Sequence, residues 1–74
     1  FAQPTPTSSI ELSPREHQIL TEVAEGYHSK EIASDIGVSE RTVKANLTTI
    51  YNKLGVFSRA EAVAKALQLN LIEL

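Results

Sequence analysis

Cysteine is absent from these 74 residues, which excludes a disulfide framework and any thiolate metal site and fits a reducing, cytoplasmic setting. Long apolar runs are missing as well. The longest uninterrupted one is Ala62, Val63 and Ala64, against about 18 residues needed to span a bilayer, and no secretory signal opens the chain. Positive charge is scarce overall: seven Lys and Arg face nine Asp and Glu, for a net charge of −2 and a pI near 5.6. Such an average argues against a nucleic-acid partner, whose domains are often strongly basic. No glycine-rich phosphate loop occurs either, because the three glycines stand singly at Gly26, Gly37 and Gly55. The length leaves room for one small domain. Hydrophobic residues at 42% and charged residues at 22% match an ordinary globular chain, so stability has to come from apolar packing.

The charge that is present is unevenly distributed. Residues 11–25 carry −3, residues 26–39 carry −1, and residues 40–59 carry +3 through Arg41, Lys44, Lys53 and Arg59 against Glu40 alone. A localised anionic partner responds to that concentration and not to the average. At the other extreme, residues 1–10 hold two of the three prolines, two threonines, two serines and no charge. Such a composition cannot bury a core, and it predicts a linker or tail over residues 1–11 ahead of a domain over residues 12–74. A start at Phe1 instead of Met suggests a piece of a longer protein, with a further domain expected before it.

Punctuation inside the domain predicts four helices and no strand. Ser13, Pro14 and Glu16 form a helix start with a capping box, and Gly26 supplies the left-handed residue that ends the first helix. Ser29 is the expected cap of a second, two-turn helix with Ile32, Ala33 and Ile36 as its buried stripe, closed by Gly37. Ser39 caps a third helix running to Leu54, and Ser58 a fourth, from Arg59 to about Gln68. The fold class is therefore all-α.

A wheel at about 100° per residue sets Val43, Leu47, Ile50, Leu54 and, at the margin, Tyr51 on the core face of the third helix. Arg41, Thr42, Ala45, Thr48, Thr49 and Asn52 fall opposite, flanked by Lys44, Asn46 and Lys53. That outward face is cationic, hydroxyl-bearing and nearly free of acid. Its short side chains would let the helix lie deep in the major groove of B-DNA, where Lys and Thr contact base edges and a small apolar group meets a thymine methyl. A two-turn helix, a break at Gly37, Val38 and Ser39, and a longer capped helix match a helix-turn-helix. Lys30, in a first turn where the helix dipole opposes a cation, makes sense if a phosphate neutralises it. On pattern alone, a helical adaptor or oligomerisation module is the competing possibility. Catalysis and metal binding find no support: His17 and His28 lie 11 residues apart without a second ligand at helical spacing, and the serines are accounted for as caps. No cofactor is expected.

The segments LSPREHQIL, EGYHSKEIA, VSERTVKANLTTIYNKLGV and SRAEAV together resemble the LuxR-type (GerE-type) DNA-binding domain over Leu12 to about Leu69. The resemblance implies a four-helix domain from the C-terminus of a bacterial transcription regulator, with the third helix reading double-stranded DNA and the fourth serving dimerisation. Carried over residue by residue, Lys44, Ala45 and Thr48 would face base edges. Lys30, Ser39, Arg41, Thr42, Asn46, Tyr51 and Lys53 would meet the DNA backbone, Asn46 standing where the family usually has His. Glu16 would pair with Arg59. Ala62, Ala66 and Leu69 are the expected dimer contacts, with the apolar residues Leu67, Leu71, Ile72 and Leu74 beside them. A NarL-type response regulator, carrying a receiver domain ahead of this module, is the favoured context over a small-signal sensor.

Overall fold

The computed structural model describes residues 10–73. Four helices follow in chain order, α1 (Pro14–Ala24), α2 (Ser29–Ile36), α3 (Glu40–Leu54) and α4 (Arg59–Gln68), with no strand among the described residues. The expected linker falls almost wholly outside the described residues. Of its two described residues, 10 and 11, Ile10 packs against the core beside Leu12, the first residue of the expected domain.

Local chemistry sets each boundary. Ser13 Oγ accepts the Glu16 N–H at 3.1 Å while Glu16 Oε1 accepts the Ser13 N–H at 2.9 Å, closing the predicted capping box. Ser29 is not the cap of α2 but its first residue; the cap is His28, whose N–H donates to Glu31 Oε1 at 2.8 Å. The carboxylate at the third helical position thus satisfies the N–H of the cap residue, a different donor from the first-turn N–H that a capping serine hydroxyl accepts. Gly37 ends α2 at φ 77°, and both its N–H and that of Val38 return to the Ala33 carbonyl. A side chain at that φ would be strained, so the turn into α3 depends on this glycine.

Apolar stripes of the four helices meet on α3, which contacts each of the other three. Ile19, Leu20 and Val23 come from α1, Ile32 and Ala33 from α2, and Val43, Leu47, Ile50 and Leu54 from α3. Ala62 and Ala66 supply the inward stripe of α4 and are fully buried. That corrects their expected role: with no accessible surface they cannot be dimer contacts, and their methyl groups let α4 approach α1 and α3 closely. The tail is also partly drawn in. Asn70 takes a left-handed turn at φ 59°, the Leu71 N–H reaches back to the Ala66 carbonyl at 2.8 Å, and Ile72 is buried against the core.

Two carboxylates are buried among these helices. Glu16 pairs with Lys53 of α3 at 2.7 Å and not with Arg59, whose guanidinium donates to the Tyr27 carbonyl instead. The hydrogen bond from Lys53, with that from the Ser13 N–H behind it, holds the Glu16 carboxyl below the ordinary glutamate range. Glu22 moves the other way. Burial and the neighbouring Asp35 carboxylate push it up, opposed by a hydrogen bond from Gln18 at 3.2 Å.

The two shifts act on stability with opposite signs. Glu16 contributes stability above its unfolded pKa, about 4.3, and that contribution is lost as the pH falls through its lower folded value. Glu22 favours the protonated form, so its contribution is complete below the unfolded pKa and disappears as the pH rises through the raised folded one. Glu22→Gln, which keeps the shape and can still accept from Gln18, is expected to raise the Tm at pH 7, by about 4–8 °C for each kcal/mol that the ionised carboxylate costs in a domain of this size. The advantage should vanish near pH 4, as thermal melts over pH 4–8 will test.

Candidate nucleic-acid interface

The helix-turn-helix geometry follows from α2 and α3 burying Ile32, Ala33, Val43 and Leu47 against a common core. The stripe that α3 gives to the core leaves its opposite face exposed. Arg41, Thr42, Lys44, Ala45, Thr48, Thr49 and Asn52 are all exposed there, so the predicted outward set emerges on one surface. Asn46 is half-buried on one flank, and Tyr51 is half-buried against the core on the other.

Hydrogen bonding decides what these groups can offer a ligand. Thr48 Oγ1 donates to the Lys44 carbonyl at 3.1 Å, so its hydroxyl proton is occupied, while its methyl and its oxygen lone pairs remain. Thr49 does the same toward the Ala45 carbonyl at 3.3 Å. Asn46 Nδ2 donates to the Thr42 carbonyl at 3.0 Å, leaving one amide proton for an anion. Ser39 Oγ accepts the Thr42 N–H at 3.1 Å and lies 3.0 Å from Thr42 Oγ1. One hydroxyl proton bridges that pair and the other is available, so Ser39 and Thr42 together offer a single hydroxyl donor at the start of α3.

The cations differ more than the sequence suggested. Lys44 reaches back one turn to Glu40 at 3.4 Å, with both side chains well exposed. Such a pair contributes only about 0.3–0.5 kcal/mol, so it pre-orients Lys44 without sequestering it. The i,i+4 spacing made this contact legible in advance. Lys53 is held from beyond its own helix, donating to Glu16 and, at 3.0 Å, to the Glu11 carbonyl. Partners 37 and 42 residues away in sequence leave no local signal. Lys30 stands apart from α3, lining a cavity between α1 and α2 with Glu22, Glu25, Glu31 and Asp35. Among the described residues, no group of three or more His, Asp or Glu side chains is placed to hold a metal ion. No helix among them is long and apolar enough to cross a membrane.

Known proteins share this arrangement. Residues 11–66 match the GerE family model, described as bacterial regulatory proteins of the luxR family. The transcriptional regulatory protein YdfI of Bacillus subtilis is 52% identical over 65 residues, covering 88% of this chain and 30% of YdfI. ComA of the same organism is 47% identical over 64 residues, covering 82% of this chain and 30% of ComA. The chain therefore spans less than a third of these relatives' length. Among solved structures, the ComA DNA-binding domain in complex with the anti-activator RapF is similar at a TM-score of 0.74 and 48% identity, covering 76% of this chain and 97% of that one. The transcription factor GerE is similar at a TM-score of 0.81 and 31% identity, covering 88% of this chain and 96% of its own. With the helix-turn-helix and its exposed cationic face already in place, the chain belongs to the luxR family of bacterial regulatory proteins, as a DNA-binding domain of that family.

Proposed function

We propose that this domain binds specific duplex sequences as a dimer, with the N-terminal half of α3 in the major groove, inside a cytoplasmic transcription regulator controlled by an N-terminal receiver domain. The observation that carries the DNA-binding geometry is the exposed face of Arg41, Lys44, Ala45 and Thr48, cations among short side chains, directly opposite the buried stripe. Lys44 has the reach and donors for guanine O6 and N7, and Ala45 has the size to meet a thymine methyl. Thr48, with its proton occupied, accepts from an exocyclic amine or offers its methyl. Lys30, Arg41, the Ser39–Thr42 pair, Asn46, Tyr51 and Lys53 serve the phosphates, which position the domain without reading sequence.

Leu67 and Leu69, exposed at the end of α4, are the apolar groups that remain available for a dimer once Ala62 and Ala66 are assigned to the core. Regulation by a receiver is supported by the relatives: ComA is described as a response regulator, and this chain covers 30% of its length. A second reading, a protein-docking module, has one supporting observation, since the related ComA domain is seen in complex with RapF.

Salt separates the two readings. Affinity for a mixed-sequence duplex should fall steeply with ionic strength through counterion release, and a folded sample that binds no duplex at low salt rules the DNA reading out. Lys44→Ala should lose about 1–3 kcal/mol of discrimination at one base pair, whereas Lys30→Ala should weaken all duplexes alike and reduce the salt slope by about one. Binding to single-base variants of a selected operator measures both. Sedimentation on a duplex with two half-sites should give a two-to-one complex, which Leu69→Asp converts to one-to-one; a one-to-one parent complex at excess protein disproves the dimer.

A further inference from the structure

Lys44 pairs within its own helix, whereas Lys53 reaches out of α3 to the segment that leads into α1. Its Nζ donates to Glu16 Oε1 at 2.7 Å and to the Glu11 carbonyl at 3.0 Å. The same Oε1 accepts the Ser13 N–H at 2.9 Å, and Glu16 as a whole is only 7% exposed. An ammonium carries three donors; two have named partners, and the Lys53 side chain stays 37% exposed. In helical register Lys53 continues the flank of Thr42, Asn46 and Thr49, the same edge of the outward face.

We propose that Glu16 is a positioning residue for duplex binding: it holds the Lys53 ammonium at a fixed point beside the outward face, so that the third proton meets a DNA phosphate. The inference deepens the phosphate contact assigned to Lys53 above and rests on it. A free surface lysine surrenders rotamer freedom on making such a contact, while one already held by two partners has little left to lose. The same ammonium fastens residues 11–13 to the recognition helix. Linkage is reciprocal, so displacement of that segment weakens duplex binding, and bound duplex tightens the segment.

A carboxylate near DNA also repels phosphates, which gives the opposite sign and makes the proposal easy to test. Glu16→Gln keeps the size of the side chain and an oxygen for the Ser13 N–H but removes the charge that grips Lys53. Repulsion alone predicts tighter binding by this variant. Positioning predicts weaker binding, by about three- to tenfold.

The experiment titrates a mixed-sequence duplex at low salt into the 74-residue chain, its Glu16→Gln and Lys53→Gln variants, and the double variant, with circular dichroism confirming the fold. Lys53→Gln should lower both affinity and salt slope, and Glu16→Gln should have no further effect in its presence. A Lys53→Gln protein indistinguishable from the parent overturns the phosphate contact itself and the positioning with it. If that contact stands, equal or tighter binding by Glu16→Gln, or additive losses in the double variant, overturns the positioning alone. Amide NMR of the unsubstituted chain gives a readout independent of how the variants fold. The Leu12 amide, which shares a peptide unit with the Glu11 carbonyl, and the Ser13 amide should shift on duplex addition; unmoved signals overturn the link.

Discussion

Fifteen residues of α3 have to satisfy two surroundings at once, an apolar core on one side and open surface on the other, and the rest of the domain is arranged around that requirement. Val43, Leu47, Ile50 and Leu54 form the stripe against which the other three helices pack. Because a helix turns about 100° per residue, burying those four fixes the direction of Arg41, Ala45 and Thr48 without any further interaction. Core packing thus aims the outward face, and a change in the core alters what that face presents.

Electrostatic segregation builds on the same geometry. A chain of net charge −2 gathers three of its seven cations, against one acid, on α3, while Glu22, Glu25, Glu31 and Asp35 of α1, α2 and the turn between them line one cavity around Lys30. The single acid of α3, Glu40, sits in the first turn, where the helix dipole favours it, and pairs with Lys44. Glu16 is the exception in placement, a carboxylate carried onto α3 from α1. Its nearly buried position behind an ammonium lets it organise a cation with little exposure of its own charge.

A domain this small has few large side chains to bury, and α4 shows how it copes. Two alanines at i,i+4 spacing remove the bulk that would hold the helix off. The turn at Asn70 folds Ile72 back into the core. Among the described residues, exposed leucine is then confined to Leu67 and Leu69; Leu74 lies outside them.

The sequence by itself determined the four helices, because serine and carboxylate caps, a proline at a first helical position and single glycines at the stops act over three or four residues. It also determined the outward face of α3, since periodicity alone sorts buried from exposed positions on one helix. Only the tertiary structure decided which partner each charged group takes and which face of α4 is buried. Lys53 meets Glu16 and Glu11 because α1 crosses the end of α3, and Arg59 meets the Tyr27 carbonyl because the start of α4 lies against the turn after α1. Ala62 and Ala66 look the same in sequence whether they meet a core or a second copy. The physical reason is range: caps and helical periodicity are local, whereas an ion pair or a packed methyl group depends on segments brought together only by folding.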